Sequence, residues 1–145
     1  MSPKIYSFVL AMAAGFLITG CSTVERGHCS NKVQLEKYQT AYVVMVPGTH
    51  QRFGPHIVEA LAQHGVKAVA GPLENKPTDV GFFVTHEDHW RWDLSMYLFS
   101  LDIHFIDNKT SNEIGSGSFH QGGFHSFPDP RKKTFAVIDS IYDAR

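Results

Sequence analysis

Hydrophobic and polar positions divide the chain into an apolar start, a polar stretch and a patterned remainder. The clearest pattern runs from Ser95 to Phe105, where Tyr97, Phe99, Leu101, Ile103 and Phe105 alternate with Met96, Leu98, Ser100, Asp102 and His104. Alternate side chains of a strand point to opposite faces, so the odd set is expected to face the core. Asp107 to Ser111 is rich in turn residues, and Glu113 to His120 returns as a strand weakened by Gly115 and Gly117. Earlier, Ala41 to Val46 is a β-branched and aromatic run stopped by Pro47 and Gly48, which reads as a buried strand.

Ile57, Val58, Leu61 and Ala62 share one face at helical spacing, with Pro55 suited to the first helical position and Gly65 to the position past the last. Val66 to Ala70 follows as a short strand, and Asp79 to His86 as another, apolar at Val80, Phe82, Phe83 and Val84. Asp129 and Pro130 open a final helix with Phe135, Ile138, Ile141 and Tyr142 inward. The order predicts an α+β domain over residues 41–145, with about five mostly antiparallel strands and two helices packed on one face.

Met1 to Lys4 carries a positive charge, Ile5 to Leu17 is uncharged and apolar, and small residues follow, which is the build of a secretory signal over residues 1–20. The apolar run falls short of the roughly 20 residues that span a bilayer. Residues 21–40 are polar and broken in pattern, and read as a flexible tether. The chain has 13 Lys plus Arg against 14 Asp plus Glu, a balance that gives no support to nucleic acid as a partner.

The junction Leu17, Ile18, Thr19, Gly20, Cys21 resembles the lipobox of bacterial lipoproteins. That resemblance implies cleavage after Gly20, diacylglycerol on the Cys21 sulfur and an acyl chain, commonly palmitate, on the new amino terminus. With Ser22 rather than Asp next, it further implies an outer membrane position facing the periplasm. Cys29 is then left without an internal disulfide partner and reads as a thiol in the tether. The element order, with Trp90, Arg91, Trp92, Asp93 and then Tyr97, Leu98, is similar to small uncharacterised Gram-negative envelope lipoproteins. More distantly it is similar to the lipopolysaccharide-assembly lipoprotein and to the amino-terminal domain of the Tol-system propeller protein. These resemblances imply binding or assembly, with an envelope protein as partner and the membrane reached through Cys21.

The chain carries few residue patterns specific to one chemistry. Gly115, Ser116, Gly117 and Ser118 only superficially match a nucleophile elbow, because a hairpin strand is expected there rather than a strand-to-helix turn. No phosphate-cradling Gly-x-x-x-x-Gly-Lys occurs, and no cofactor is implied. Nine histidines are present, and antiparallel pairing would bring His86 and His89 to the same sheet end as His120 and His125, which makes metal binding the alternative function. The preferred contact surface is aromatic: Trp90, Trp92, Asp93 and Phe124, with Phe127 nearby. Arg131, Lys132 and Lys133 oppose the dipole of the helix they begin, and read as a solvated run.

Overall fold

Alternating burial along one long strand organises the domain, as the computed structural model shows for residues 24–45, 47, 53–122 and 126–144. β1 is Val24–Cys29, α1 Lys32–Leu35, β2 Thr40–Val44, α2 Phe53–Gln63 and β3 Lys67–Gly71. A 3₁₀ turn at Leu73–Asn75 leads to β4 Phe82–Asp93, β5 Ser95–Asp107, β6 Glu113–His120 and α3 Pro130–Asp143. The strands form one mixed sheet in the order β1-β6-β5-β4-β2-β3. Pairing is antiparallel from β1 across to β4, and parallel where β2 meets β4 and β3.

The α+β class stands, with six strands rather than five and a third, one-turn helix among the described residues. The added elements correct the tether reading. Within residues 21–40, β1 pairs with β6 along Val24 to Cys29, and Leu35 of α1 is completely buried. Val24, Glu25, Arg26, Gly27 and His28 lack the β-branched run that marks a strand, so pairing with β6 supplies what local preference does not. Asn31 caps α1 by accepting from the Gln34 N–H. The segment is then pinned by Asp107, whose carboxylate accepts from the Tyr38 hydroxyl, from Gln34 Nε2 at 2.7 Å and from the Lys109 and Thr110 N–H groups. The bonds from Tyr38, Thr110 and Lys109, led by the one from Tyr38, hold the Asp107 carboxyl down at about 2 against desolvation. Cys29, expected in a mobile stretch, packs against the core instead.

α2 and α3 lie side by side on one face of the sheet, linked by Arg131 to Glu59 and by His64 Nε2 to Asp139 at 2.8 Å. Ile57 and Leu61 of α2 and Val137, Ile138 and Ile141 of α3 join Val43, Val84, Leu101, Ile103 and Phe105 of the sheet in one core. Gly65 closes α2 in the left-handed conformation, with φ of 76°, as its place past the helix end requires. Asp129 caps α3 by accepting from the Arg131 and Lys132 N–H groups. Lys133 reaches Glu25 at 2.6 Å, so two cations of the basic run are paired with β1 and α2.

The β5 alternation holds for Leu101, Ile103 and Phe105 and fails for Tyr97 and Phe99. A register shift at His89/Trp90 leaves Phe99 as an extra residue, and Leu98 takes the core position opposite Trp90. Side chains before the bulge are therefore displaced to the other face.

Space for α3 comes from glycine. A Cβ on Gly117 would lie 2.9 Å from the Val137 carbonyl oxygen, and one on Gly27 would collide with the Ser140 backbone. Gly117→Val is expected to lower stability by about 2–3 kcal/mol, through overpacking that backbone cannot relieve, and thermal denaturation followed by circular dichroism measures it.

Candidate functional site

The residues expected to form one aromatic contact surface separate. Even-numbered β4 residues face the helices, so Trp90 packs against Phe53, ring centroids 6.4 Å apart, and its Nε1 donates to Asp88 at 2.6 Å. Trp90 thus closes the end of the core. Trp92 is 70% exposed, and Asp93 stands with it at the tip of the β4–β5 hairpin. Phe124 lies outside the described residues. Phe127 is exposed and sets its ring edge-on to Tyr97 at 5.8 Å.

The histidines separate as well. His86 is buried on the helix side beside Phe53, while His89 and His120 lie on the opposite face, related through Ser100 of β5. The sheet itself stands between them, because three positions along a strand reverse the face. His125 lies outside the described residues, and no group of three metal-ligating side chains occurs among those described. Among the described residues, His86 is thus kept apart from His89 and His120 rather than gathered with them.

The face that carries no helix among the described residues supplies a different candidate. Two loops lap over its sides: near β2, Tyr42 donates to the Pro72 carbonyl at 2.8 Å and Lys76 lies over Phe83, while near β5 Phe127 covers Tyr97. Toward the β1 edge of this face, a shallow groove is lined by Arg26, His28, Asp102, His104, Ser116 and Ser118. Strand register puts these side chains in rows, with Arg26 beside Ser118 and Asp102, and His28 beside Ser116 and His104. Glu113 accepts from His104 Nδ1 at 2.7 Å. Burial raises the Glu113 carboxyl, but hydrogen bonds from Ser116 and His104 outweigh it and hold it below its ordinary value.

Chemically the groove offers hydroxyls, imidazoles and one charge of each sign on a rigid sheet. Such a set hydrogen-bonds a polar or zwitterionic partner from several directions. Asp102 and His104 are visible in the sequence as the polar partners of the β5 alternation. Arg26 and His28 are not, because the strand that carries them has the composition of a tether.

No family model matches the chain, and no curated protein matches it. Among solved structures, the fold is similar to the PelC dodecamer from Paraburkholderia phytofirmans, at 13% identity and a TM-score of 0.61, over 86% of this chain and all of that one. A second PelC dodecamer structure, of a single-substitution variant from the same organism, matches at 12% identity with the same TM-score and coverage. A PDZ domain protein from Parabacteroides distasonis matches at 9% identity and a TM-score of 0.48, over 91% of this chain and 38% of that one. The PelC likeness establishes the fold.

His86 gives the site end of the core a pH signature. Its Nδ1 is buried without a hydrogen-bond partner among the described residues, and desolvation pushes its pKa below the ordinary 6.5 despite Asp88. A neutral imidazole in the folded state and a protonated one in the unfolded state make stability complete above 6.5 and falling as pH drops below it. His86→Leu is expected to flatten this fall, measured as melting temperature between about pH 7.5 and 5.

Proposed function

We propose that this chain is an envelope lipoprotein, held to the outer membrane through lipid on Cys21, whose domain binds or assembles with an envelope component rather than catalysing a reaction. The lipobox Leu17 to Cys21 carries the reading, and it stands only three residues ahead of the first strand. One acyl chain holds a protein marginally, at ~0.8 kcal/mol per buried CH₂, and the two or more of a mature lipoprotein hold it stably. No described helix is long and apolar enough to cross a membrane, and in this reading attachment of the domain falls to the lipid.

The polar groove on the helix-free face is the contact surface in this reading. Its rows of Arg26, His28, Asp102, His104, Ser116 and Ser118 sit on paired strands, which presents them at low ordering entropy. The partner is an envelope protein or polymer with polar groups of both signs. Assembly with further copies is a related form, since the similarly folded PelC forms a dodecamer.

Two measurements test this. Mass spectrometry of the amino-terminal peptide is expected to find Cys21 acylated, and Cys21→Ala is expected to move the protein from the membrane to the soluble fraction. Replacing Asp102 by Lys together with Ser118 by Arg is expected to abolish co-purification of the partner from detergent-solubilised membranes with the melting temperature unchanged. A retained partner would put the contact surface elsewhere.

A further inference from the structure

Beyond the groove, the β4–β5 hairpin outruns the sheet that supports it. β6 pairs with β5 no nearer its start than Ser100, and β1 begins at Val24 opposite His120, so the hairpin runs on past both as an arm. Gln121 still holds the Leu98 and Phe99 carbonyls and Phe127 covers Tyr97, and Trp92 to Met96 form the projecting end. The base of the arm is fixed in the core by Leu98, fully buried, and by Trp90 against Phe53. Its end exposes three large apolar side chains, with Asp93 and Ser95 between them: Trp92 is 70%, Leu94 89% and Met96 42% exposed. Trp92 and Met96 are register partners, so their side chains share one face just below the turn.

The turn residue adds a second observation. Leu94 holds a φ of 57°, in the left-handed region where glycine or asparagine is the ordinary choice of a hairpin. A large aliphatic side chain in that conformation, almost wholly in water, is unfavourable both to the backbone and to hydration. The hydration cost is relieved when an apolar medium receives it.

The register of β1 bears on which medium that is. Val24 stands level with His120, Ser100 and His89, at the foot of the arm. Cys21 is three residues upstream, so covalent geometry keeps it within about 11 Å of Val24. The arm reaches roughly 16 Å from Ser100 to Ser95. The link to the lipid is thus shorter than the arm beside it, and a domain standing on a membrane by Cys21 brings the arm's tip into the head-group region.

We propose that the hairpin tip Trp92, Leu94 and Met96 inserts into the bilayer interface as a second attachment point beside the lipid on Cys21. The inference rests on the lipoprotein reading above. Trp is favoured at the interface and aliphatic side chains just below it, and two attachments fix orientation where one permits swivelling. The polar groove is thereby held at a set angle to the membrane.

The test uses the full lipidated chain with Trp90→Phe, which leaves Trp92 as the sole reporter of the two tryptophans. It is reconstituted into vesicles of phosphatidylethanolamine and phosphatidylglycerol with brominated acyl chains. Trp92 fluorescence is expected to be blue-shifted and quenched relative to unbrominated vesicles, and Leu94→Asp with Met96→Ser is expected to remove most of the quenching. In the unlipidated Cys21→Ala chain, the same double change is expected to lower vesicle partitioning by about tenfold or more. Should Trp90→Phe unfold the domain, the difference in quenching between the wild type and Trp92→Phe gives the same reading. A lipidated chain that stays on the vesicles with Trp92 unquenched overturns the insertion and leaves the anchor standing. A Cys21→Ala chain retained in native membranes as well as the wild type overturns the anchor, whatever Trp92 reports. Protection of Trp92 only when other membrane proteins are present assigns the tip to a protein partner and overturns the proposal.

Discussion

Backbone-to-backbone approach between α3 and the β1–β6 pair is the constraint on which the rest of the structure depends. Gly27, Gly115 and Gly117 remove the side chains that would hold the helix off, and Ile141 and Val137 come down into the space. Glycine inside a strand weakens it by entropy and lost packing, and here that weakness is offset by the apolar surface that α3 buries. With the helix seated, Lys133 meets Glu25 and Arg131 meets Glu59, so basic residues that oppose the helix dipole find carboxylates on neighbouring elements. Both large helices then occupy one face. The other face stays open, and everything proposed for binding lies on it or at its end.

Much of this is legible in the sequence where periodicity is strong. Leu101, Ile103 and Phe105 alternate cleanly and are fully buried, and the α3 start at Asp129 and Pro130 follows the capping preference. The β6 limits, Glu113 to His120, agree with the sequence pattern, although the glycines conceal which face is which. Two features resist for physical reasons. β1 has no strand pattern of its own and exists because β6 offers an unpaired edge, which is a long-range cause. The bulge at Phe99 inserts one residue and reverses the faces on its far side, so a rule of strict alternation assigns Tyr97 wrongly while assigning Leu101 rightly.

The candidate site is legible in fragments. Trp92 and Phe127 are the exposed aromatics that the sequence leads one to expect, but Trp90, two residues from Trp92, packs against the core. Composition gives both tryptophans the same preference, and only the tertiary neighbour Phe53 distinguishes them. The histidines show the same limit, since His86 and His89 look like a pair in sequence and the pleat sends them to opposite sides. The groove gains its second wall from β1, so Arg26 and His28 are out of reach of any local reading.

The place of β1 at the sheet edge also bears on how the molecule is built in time. This strand is made well before its hydrogen-bonding partner β6, which is among the last elements to be made. Until β6 arrives, Val24 to Cys29 has nothing to pair with, and closing so long a loop is the slow entropic step of folding. Completion of the sheet is therefore a late event that reports on the whole polypeptide. A truncated or stalled chain would leave this edge strand, Cys29 included, without its partner.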